Sequence, residues 1–405
     1  MLAKQTSSSH RSPAFAFVAG LLVASVIAVS IVLSVSHSKK HPASATTPAP
    51  ATSHAPVPTS GAPASTPPLS LPGTNSTVVK VVCPVATHRV SNAAGLQAAL
   101  TAARPGDSIE IADGTYVGHF VAKTEATSAE PIYLCGSRNA VLDGGGNKLG
   151  YVLHLDGAAF WRVNGFSVRN GQKGVVADHT AETIIANLDV SQIGDEGIHL
   201  RAFSTNDIVE GDAVHNTGLH SGKFGEGIYV GSARSNWCTY SACNPDRSDH
   251  NLVADNIISN TTAENLDIKE GTTGGIATGN HFDAVGMISA DSWVDVKGDG
   301  WTIADNTGVA TGTSTIVDGY QTHEILTGWG SGNAFIANVG NLASAGFGIH
   351  LTPVDANEVG CDNHIAGPAQ GLSNIACINT AATGTTSTTT SSTSTTSHKH
   401  HRHNS

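Results

Sequence analysis

Five short stretches decide the fold: RVNGFSV around Asn164, IIANLDV around Asn187, VADNIIS around Asn256, ATGNHFD around Asn280 and IADNTGV around Asn306. Each has a small or polar residue, an asparagine and then apolar residues, at spacings of 23 to 26 where the copies are consecutive. A period in the low twenties built from short β-rich segments is one coil of a parallel solenoid. One asparagine is only a turn residue. Repeated at a fixed place, it predicts a ladder of stacked amides, with Asn187, Asn256, Asn280 and Asn306 along one edge.

A second set of segments supplies the strands of another face: GVVAD from Gly174, GIHLR from Gly197, GIYVG from Gly227, NLDIK from Asn265, WVDVK from Trp293 and GIHLT from Gly348. Their alternation points Ile198 and Leu200, Ile228 and Val230, Leu266 and Ile268, and Val294 and Val296 inward. Short strands with Gly, Asn and Asp at the corners also account for 44 glycines and only 5% aromatic residues. The expected fold is all-β, a right-handed parallel β-helix solenoid. An N-terminal cap fits GLQAALTAARPGDSIEIADGTY, residues 95–116: Leu96, Leu100 and Ala103 share one face of a short helix that ends before Pro105. Such a helix covers the open strand edges of a first coil.

Outside this body the chain changes character. Residues 14–36 are an apolar run long enough to cross the roughly 30 Å hydrocarbon core of a bilayer, with Lys4 and Arg11 before it and Lys39 and Lys40 after it. It predicts a signal anchor with residues 1–13 cytoplasmic and the body outside the cell at the membrane, or a secreted body if the segment is cleaved. Residues 37–80 are a Pro/Ala/Thr/Ser-rich stalk and residues 381–405 a Thr/Ser tail ending in His and Lys/Arg, both too poor in large apolar residues to fold. The body, 81–380, holds all 32 Asp and Glu residues of the chain against 14 of its 21 Lys and Arg residues. That balance excludes nucleic acid as a partner, since phosphate binding needs a basic face, and suits a hard cation. Six cysteines in an exported chain predict disulfides, preferentially Cys83–Cys135, Cys238–Cys243 and Cys361–Cys377. A monomer is expected.

Placed in register, the outward residues form columns. His199, Tyr229, Asp267 and Asp295 make one, and Arg201, Gly231, Lys269 and Lys297 the next. Glu196, Glu226 and Glu264, one residue before each strand, make a third. Neighbouring coils lie about 4.8 Å apart, so like charges would be stacked closely, which is unfavourable without a cation between them. Trp293 and Tyr229 are candidates for stacking on sugar rings. Outward Lys and Asp columns are also what a solvated ion-pair ladder looks like, and each aromatic alone reads equally as packing.

The cap, the EPIYL strand at 130–134 and the coils behind it resemble the right-handed β-helix polysaccharide lyases of the pectate lyase-like superfamily, and in particular the chondroitinase B and alginate lyase group. In that group a Glu five residues before a Lys is a calcium ligand and the Lys is the base. AENLDIKEG, residues 263–271, has that spacing, so the resemblance implies Glu264 as ligand, with Glu226 beside it, and Lys269 as base. Thr262 stands where many members carry a further acidic ligand, Glu270 replaces a small polar residue, and Lys297 stands where the group has an Arg. The function expected is calcium-assisted (Ca2+) β-elimination on an anionic uronate polysaccharide. Lys269 is the base, Lys297 or Arg201 hold the substrate carboxylate, and His199, Tyr229, Asp267, Asp295 and Trp293 bind sugar. Two other classes stay open: a glycan-binding display protein without chemistry, and a glycoside hydrolase using Asp267 and Asp295 as paired carboxylates.

Overall fold

The computed structural model describes residues 80–379, apart from 311–313 and 355. The apolar run expected to cross a membrane, nearly all of the expected stalk and the His-rich tail lie outside the described residues. Within them the chain is a parallel β-solenoid. Three parallel sheets of 11, 10 and 9 strands run its length, and each coil contributes one strand to each sheet. The coil repeats because no single coil can bury its own apolar face. Ile198, Ile228, Leu266, Val294, Tyr320 and Ile349 pair in register and point inward, all fully buried. Burial of each such Ile or Leu is worth about 1.5–3 kcal/mol. The cap is the helix Ala93–Ala102, started by Asn92, whose Oδ1 accepts from the Gly95 amide at 2.8 Å. Leu96, Leu100 and Ala103 are buried against the first coils as the spacing requires.

The amide ladder exists with one correction. Asn256, Asn280, Asn306, Asn338 and Asn363 stack: each of the first four donates its Nδ2 and its backbone N–H to the Oδ1 of the next at 2.9–3.1 Å. Asn187 is not a rung. Its strand Ile184–Ala186 aligns with Ile208–Glu210 and Leu252–Ala254, which puts Asn187 level with Asp255 and leaves the rung position to Leu188. Asn187 instead adopts φ 54° at the corner and donates to Asn164 Oδ1 at 2.8 Å. Asn at a left-handed corner and Asn at an internal rung leave nearly the same sequence trace, one residue apart.

The coil before Asn256 has an acid at the rung. The Asp212 amide donates to Asn256 Oδ1 at 2.9 Å, and its own Oδ1 accepts from the Leu188 amide at 2.6 Å. At the other rungs Nδ2 also donates to a backbone carbonyl of the preceding coil, as Asn256 does to Val209 and Asn280 to Val253. Asp212 Oδ2 has no partner and is sealed from water. Burial pushes its carboxyl well above 3.8, against the Leu188 bond that opposes it. A raised folded pKa gives stability that is complete below the unfolded value near 3.8 and is lost as pH rises through the folded value. Asp212→Asn supplies the missing donor. Its denaturation midpoint should match or exceed wild type at pH 4 and gain on wild type as pH rises; a gap that narrows instead would refute a neutral Asp212.

All three disulfides expected are present: Cys83–Cys135, Cys238–Cys243 and Cys361–Cys377. The first and last secure the two ends of the solenoid. The middle one staples an insertion, residues 231–250, that folds over the outer face of the nine-stranded sheet. Asp246 fastens this insertion, accepting from the Ala202 and Phe203 amides and from the hydroxyls of Ser232 and Ser248.

Candidate active site

The nine-stranded sheet carries the predicted stripe in the predicted register. His199, Tyr229, Asp267 and Asp295 are directly paired across strands Ile198–Arg201, Ile228–Val230, Leu266–Ile268 and Val294–Val296. Two walls rise over it. One is the stapled insertion, which presents Ser235, Asn236 and Tyr240. The other is the turn 216–226, with Lys223 and Phe224 at its edge. Together with the floor they enclose a cleft of about 410 Å³.

On the floor the charges are paired rather than free. Asp267 binds Lys269 Nζ at 2.6 Å through one oxygen and Lys297 Nζ at 2.7 Å through the other, and Lys297 also reaches Asp295 at 2.6 Å. For both lysines burial pushes the pKa down, but the Asp267 carboxylate carries it well above the ordinary value of 10.5. Burial pushes Asp295 up, yet Lys297 and His323, 2.8 Å away, hold it ionised and well below the usual range.

The acid column is different. Glu196 is neutralised by Lys173. Glu226 and Glu264 are not: neither has a cationic partner among the described residues, and Glu226 Oε2 is buried without a hydrogen bond. Burial first, then repulsion from Glu196 and Asp267, pushes Glu226 well above the ordinary range. Burial first, then Asp267, pushes Glu264 up to about 7. Oxygens of Glu226, Glu264 and Asp267 lie within 4.8 Å of one another. A cluster of carboxylates with an orphaned oxygen fits a hard cation chemically, and since Asp267 spends both oxygens on lysines, Glu226 and Glu264 are the ones with donor capacity to spare.

Tyr229 lies between the columns, its ring 4.3 Å from that of His199 and 5.0 Å from Lys269 Nζ. Burial, followed by the charges of Asp267 and Glu226, pushes its phenol well up, so it stays protonated. His199 is fixed as a neutral ring. Its Nε2 donates to the Gly231 carbonyl at 2.9 Å, and burial, with Lys173 and Arg201 nearby, drives its pKa well below 6.5.

One expectation needs correction. Trp293 is 0% exposed and points into the solenoid, where its ring fills the space over Gly308 and Gly319 and meets Tyr320 edge-on at 5.7 Å. It is a core residue and stacks on no sugar. Arg201 is only 2% exposed: it is locked to Asp178 through Nε and Nη2, donates to the Tyr151 hydroxyl, and lies 3.9 Å from the centroid of the Tyr240 ring. It lines the cleft with Nη1 free of any hydrogen bond, and Lys297 lines the same floor, paired to its two aspartates. Thr262, where the lyase group carries a further acid, is packed against Gly218 and Gly225 of the preceding coil, where any Cβ would come within 2 Å of its hydroxyl. Lys223 and Phe224 went unnoticed in the sequence because they sit in a turn with no periodicity.

No protein-family model matches the sequence, and no curated protein sequence matches it. Among solved structures the fold is similar to that of an alginate lyase from Paenibacillus sp. str. FPU-7, with a TM-score of 0.67 and 35% identity over 73% of this chain and 100% of that one. It also matches pectate lyase Pel9A at 12% identity and a TM-score of 0.45, over 67% of this chain and 72% of that one. A parallel solenoid with a charged cleft on one sheet, alike over the full length of a lyase at this identity, settles the class. The chain belongs to the parallel β-helix polysaccharide lyases, which are carbon–oxygen lyases acting on a polysaccharide.

Proposed function

We propose that the protein cleaves a uronate polymer outside the cell by calcium-assisted β-elimination, with Glu226 and Glu264 as the metal ligands and Lys269 as the base. The observation that carries this is the juxtaposition on one floor of two unneutralised glutamates with a lysine and a protonated tyrosine. The substrate named for the Paenibacillus relative, alginate, is a uronate polymer and supports the substrate class.

The proton to be removed lies on the carbon next to the uronate carboxylate, and its acidity depends on neutralising that carboxylate. A calcium ion held by Glu226 and Glu264 would supply that charge and offset the acidic field that keeps Lys269 protonated. Lys269, once its ammonium has given up its own proton to solvent, would take the substrate proton at Nζ; the C–H electron pair becomes the new C=C bond, and the glycosidic C–O bond breaks. The departing oxygen receives a proton from the Tyr229 phenol, which has no hydrogen-bond partner among the described residues and so is free to donate. A glycoside hydrolase is disfavoured, because Asp295 is held ionised by Lys297 and His323 and both Asp267 oxygens are spent on lysines, leaving neither as an acid. The three disulfides support an oxidising location, and the apolar run at 14–36 supports membrane attachment there.

The test is a panel of uronate polymers screened for the near-ultraviolet absorbance of an unsaturated product, with and without chelator. Calcium should also raise the melting temperature of the resting protein, by about 2.7 kcal/mol of stabilisation at a hundredfold excess over Kd. Glu264→Gln should abolish that shift. Full activity in chelator with no calcium-dependent shift would remove the metal from this reading and leave the lyase.

A further inference from the structure

The turn 216–226 is built to hold its tip still. Thr217 Oγ1 donates to the Gly225 carbonyl at 2.6 Å, closing its base, and the His220 and Leu219 amides donate to the Gly194 and Ile193 carbonyls of the coil before. Gly218 and Gly225 clasp Thr262, and a Cβ on Gly222 would sit 3.0 Å from Ile288 of the next wall turn. On this rigid base Phe224 is 55% exposed and Ile288 63% exposed, an apolar lip beside a cleft whose floor is almost entirely charged. Lys223 lines the same cleft, is exposed and has no ion-pair partner among the described residues. Phe224 and Ile288 together make an exposed apolar patch rimmed by the charged cleft, the kind of surface that marks a ligand-binding groove. Both Lys223 and Phe224 stand on the wall, apart from the Lys269 and Tyr229 pair on the floor.

We propose that Lys223 and Phe224 form a distal subsite that grips a uronate residue away from the bond being cleaved, the ring packing on the apolar face of the pyranose and the ammonium meeting its carboxylate. The pair requires a ligand that is flat and apolar on one face and anionic at its edge, which describes a uronate ring and excludes a neutral glucan. The opposite wall, with Ser235 and Asn236, offers hydroxyl and amide groups for the polar edge of the same sugar. These are positioning residues, and they set chain-length preference rather than the rate of bond breaking. This inference rests on the uronate-lyase reading.

Kinetics of the full chain on polyuronate and on oligouronates of increasing length test it. Phe224→Ala should raise KM for the polymer about three- to tenfold, the range that one aromatic contact supplies, with kcat within about twofold, and Phe224→Trp should restore it. Lys223→Gln should raise KM and weaken its dependence on salt, since one exposed charge contact is lost. Both effects should vanish on the shortest oligomer that is still cleaved. Unchanged KM at every length in both variants, with wild type active, would overturn the subsite and leave the lyase standing. A fall in kcat at constant KM would also overturn it, placing the residues at the reacting bond. Wild type inactive on every uronate would overturn the subsite and the uronate reading together.

Discussion

Exchanging Lys269 for Ala should reduce turnover on the cleaved uronate by a factor of about 100 to 10,000, or roughly 3–5 kcal/mol in the barrier, the usual cost of losing a positioned general base. The fold should survive. Lys269 is half-buried, so the change is not neutral, but Asp267 keeps Lys297 at 2.7 Å and is not left without a counter-charge. The cost is that of one charge-assisted bond, about 1.5–3 kcal/mol. Lys269→Arg separates the two roles the lysine plays. A guanidinium restores the charge opposite Asp267 but never gives up its proton, so it should recover stability without recovering turnover. Recovery of both would make Lys269 a counter-ion only. A folded Lys269→Ala protein with wild-type turnover would remove it from the reaction altogether.

The register of this site was partly legible in the sequence. Alternation within a strand decides which residues point out, but the steps from His199 to Tyr229, Asp267 and Asp295 are longer than the 23 to 26 residues of the plain coil, so lining them up meant taking the excess as inserted loop, and the strand pairing has that register. Disulfide pairing was legible only as a preference, for bridges that pin the two ends and tighten one loop, and those three bridges are present. What the strands do not encode is depth. The turn 216–226 and the insertion 231–250 roof the stripe, and under them an outward Lys or Asp is no longer in water. Lys269, Lys297 and Arg201 read as exposed cations and prove to be members of ion pairs, the first half-buried and the other two buried, for that reason. Trp293 was misplaced by a different cause. It stands one residue before its strand, where alternation gives no direction, and the small residues that make room for its ring, Gly308 and Gly319, lie on the next coils. Asn187 failed by a single residue, because the amide side chain suits both a left-handed corner and an internal rung.

Asp267 is where structure and chemistry share one residue, and its removal should cost the most stability of any change on the cleft floor. Its side chain is 1% exposed and is the shared acceptor of two ammonium groups, at 2.6 and 2.7 Å. In Asp267→Ala, Lys297 keeps Asp295, but Lys269 is left as a half-buried charge without its ion-pair partner. Breaking a buried pair in this way costs about 3–5 kcal/mol, more than the pair contributes relative to an apolar replacement. Because coils interact only with their neighbours, the loss should appear as early unfolding of the central coils while the disulfide-secured ends persist. Hydrogen exchange at strands Ile228–Val230 and Val294–Val296 would report it. The pH dependence carries the sign of the effect. In the wild type Lys269 has a folded pKa above 10.5, so its contribution is complete below that value and is lost as pH rises through the folded value. With Asp267 gone Lys269 loses the largest of the groups that raise its pKa and keeps only the weaker pull of Glu264 and Glu226 against its burial, so the pKa falls from its wild-type value and the stability tied to it is lost at lower pH. The difference in denaturation midpoint between wild type and Asp267→Ala should therefore be largest near neutrality and shrink toward alkaline pH. A difference that stays constant across that range, or a variant as stable as wild type at pH 7, would mean that Lys269 finds water or another carboxylate once Asp267 is removed, and that the buried triad does not hold the floor together.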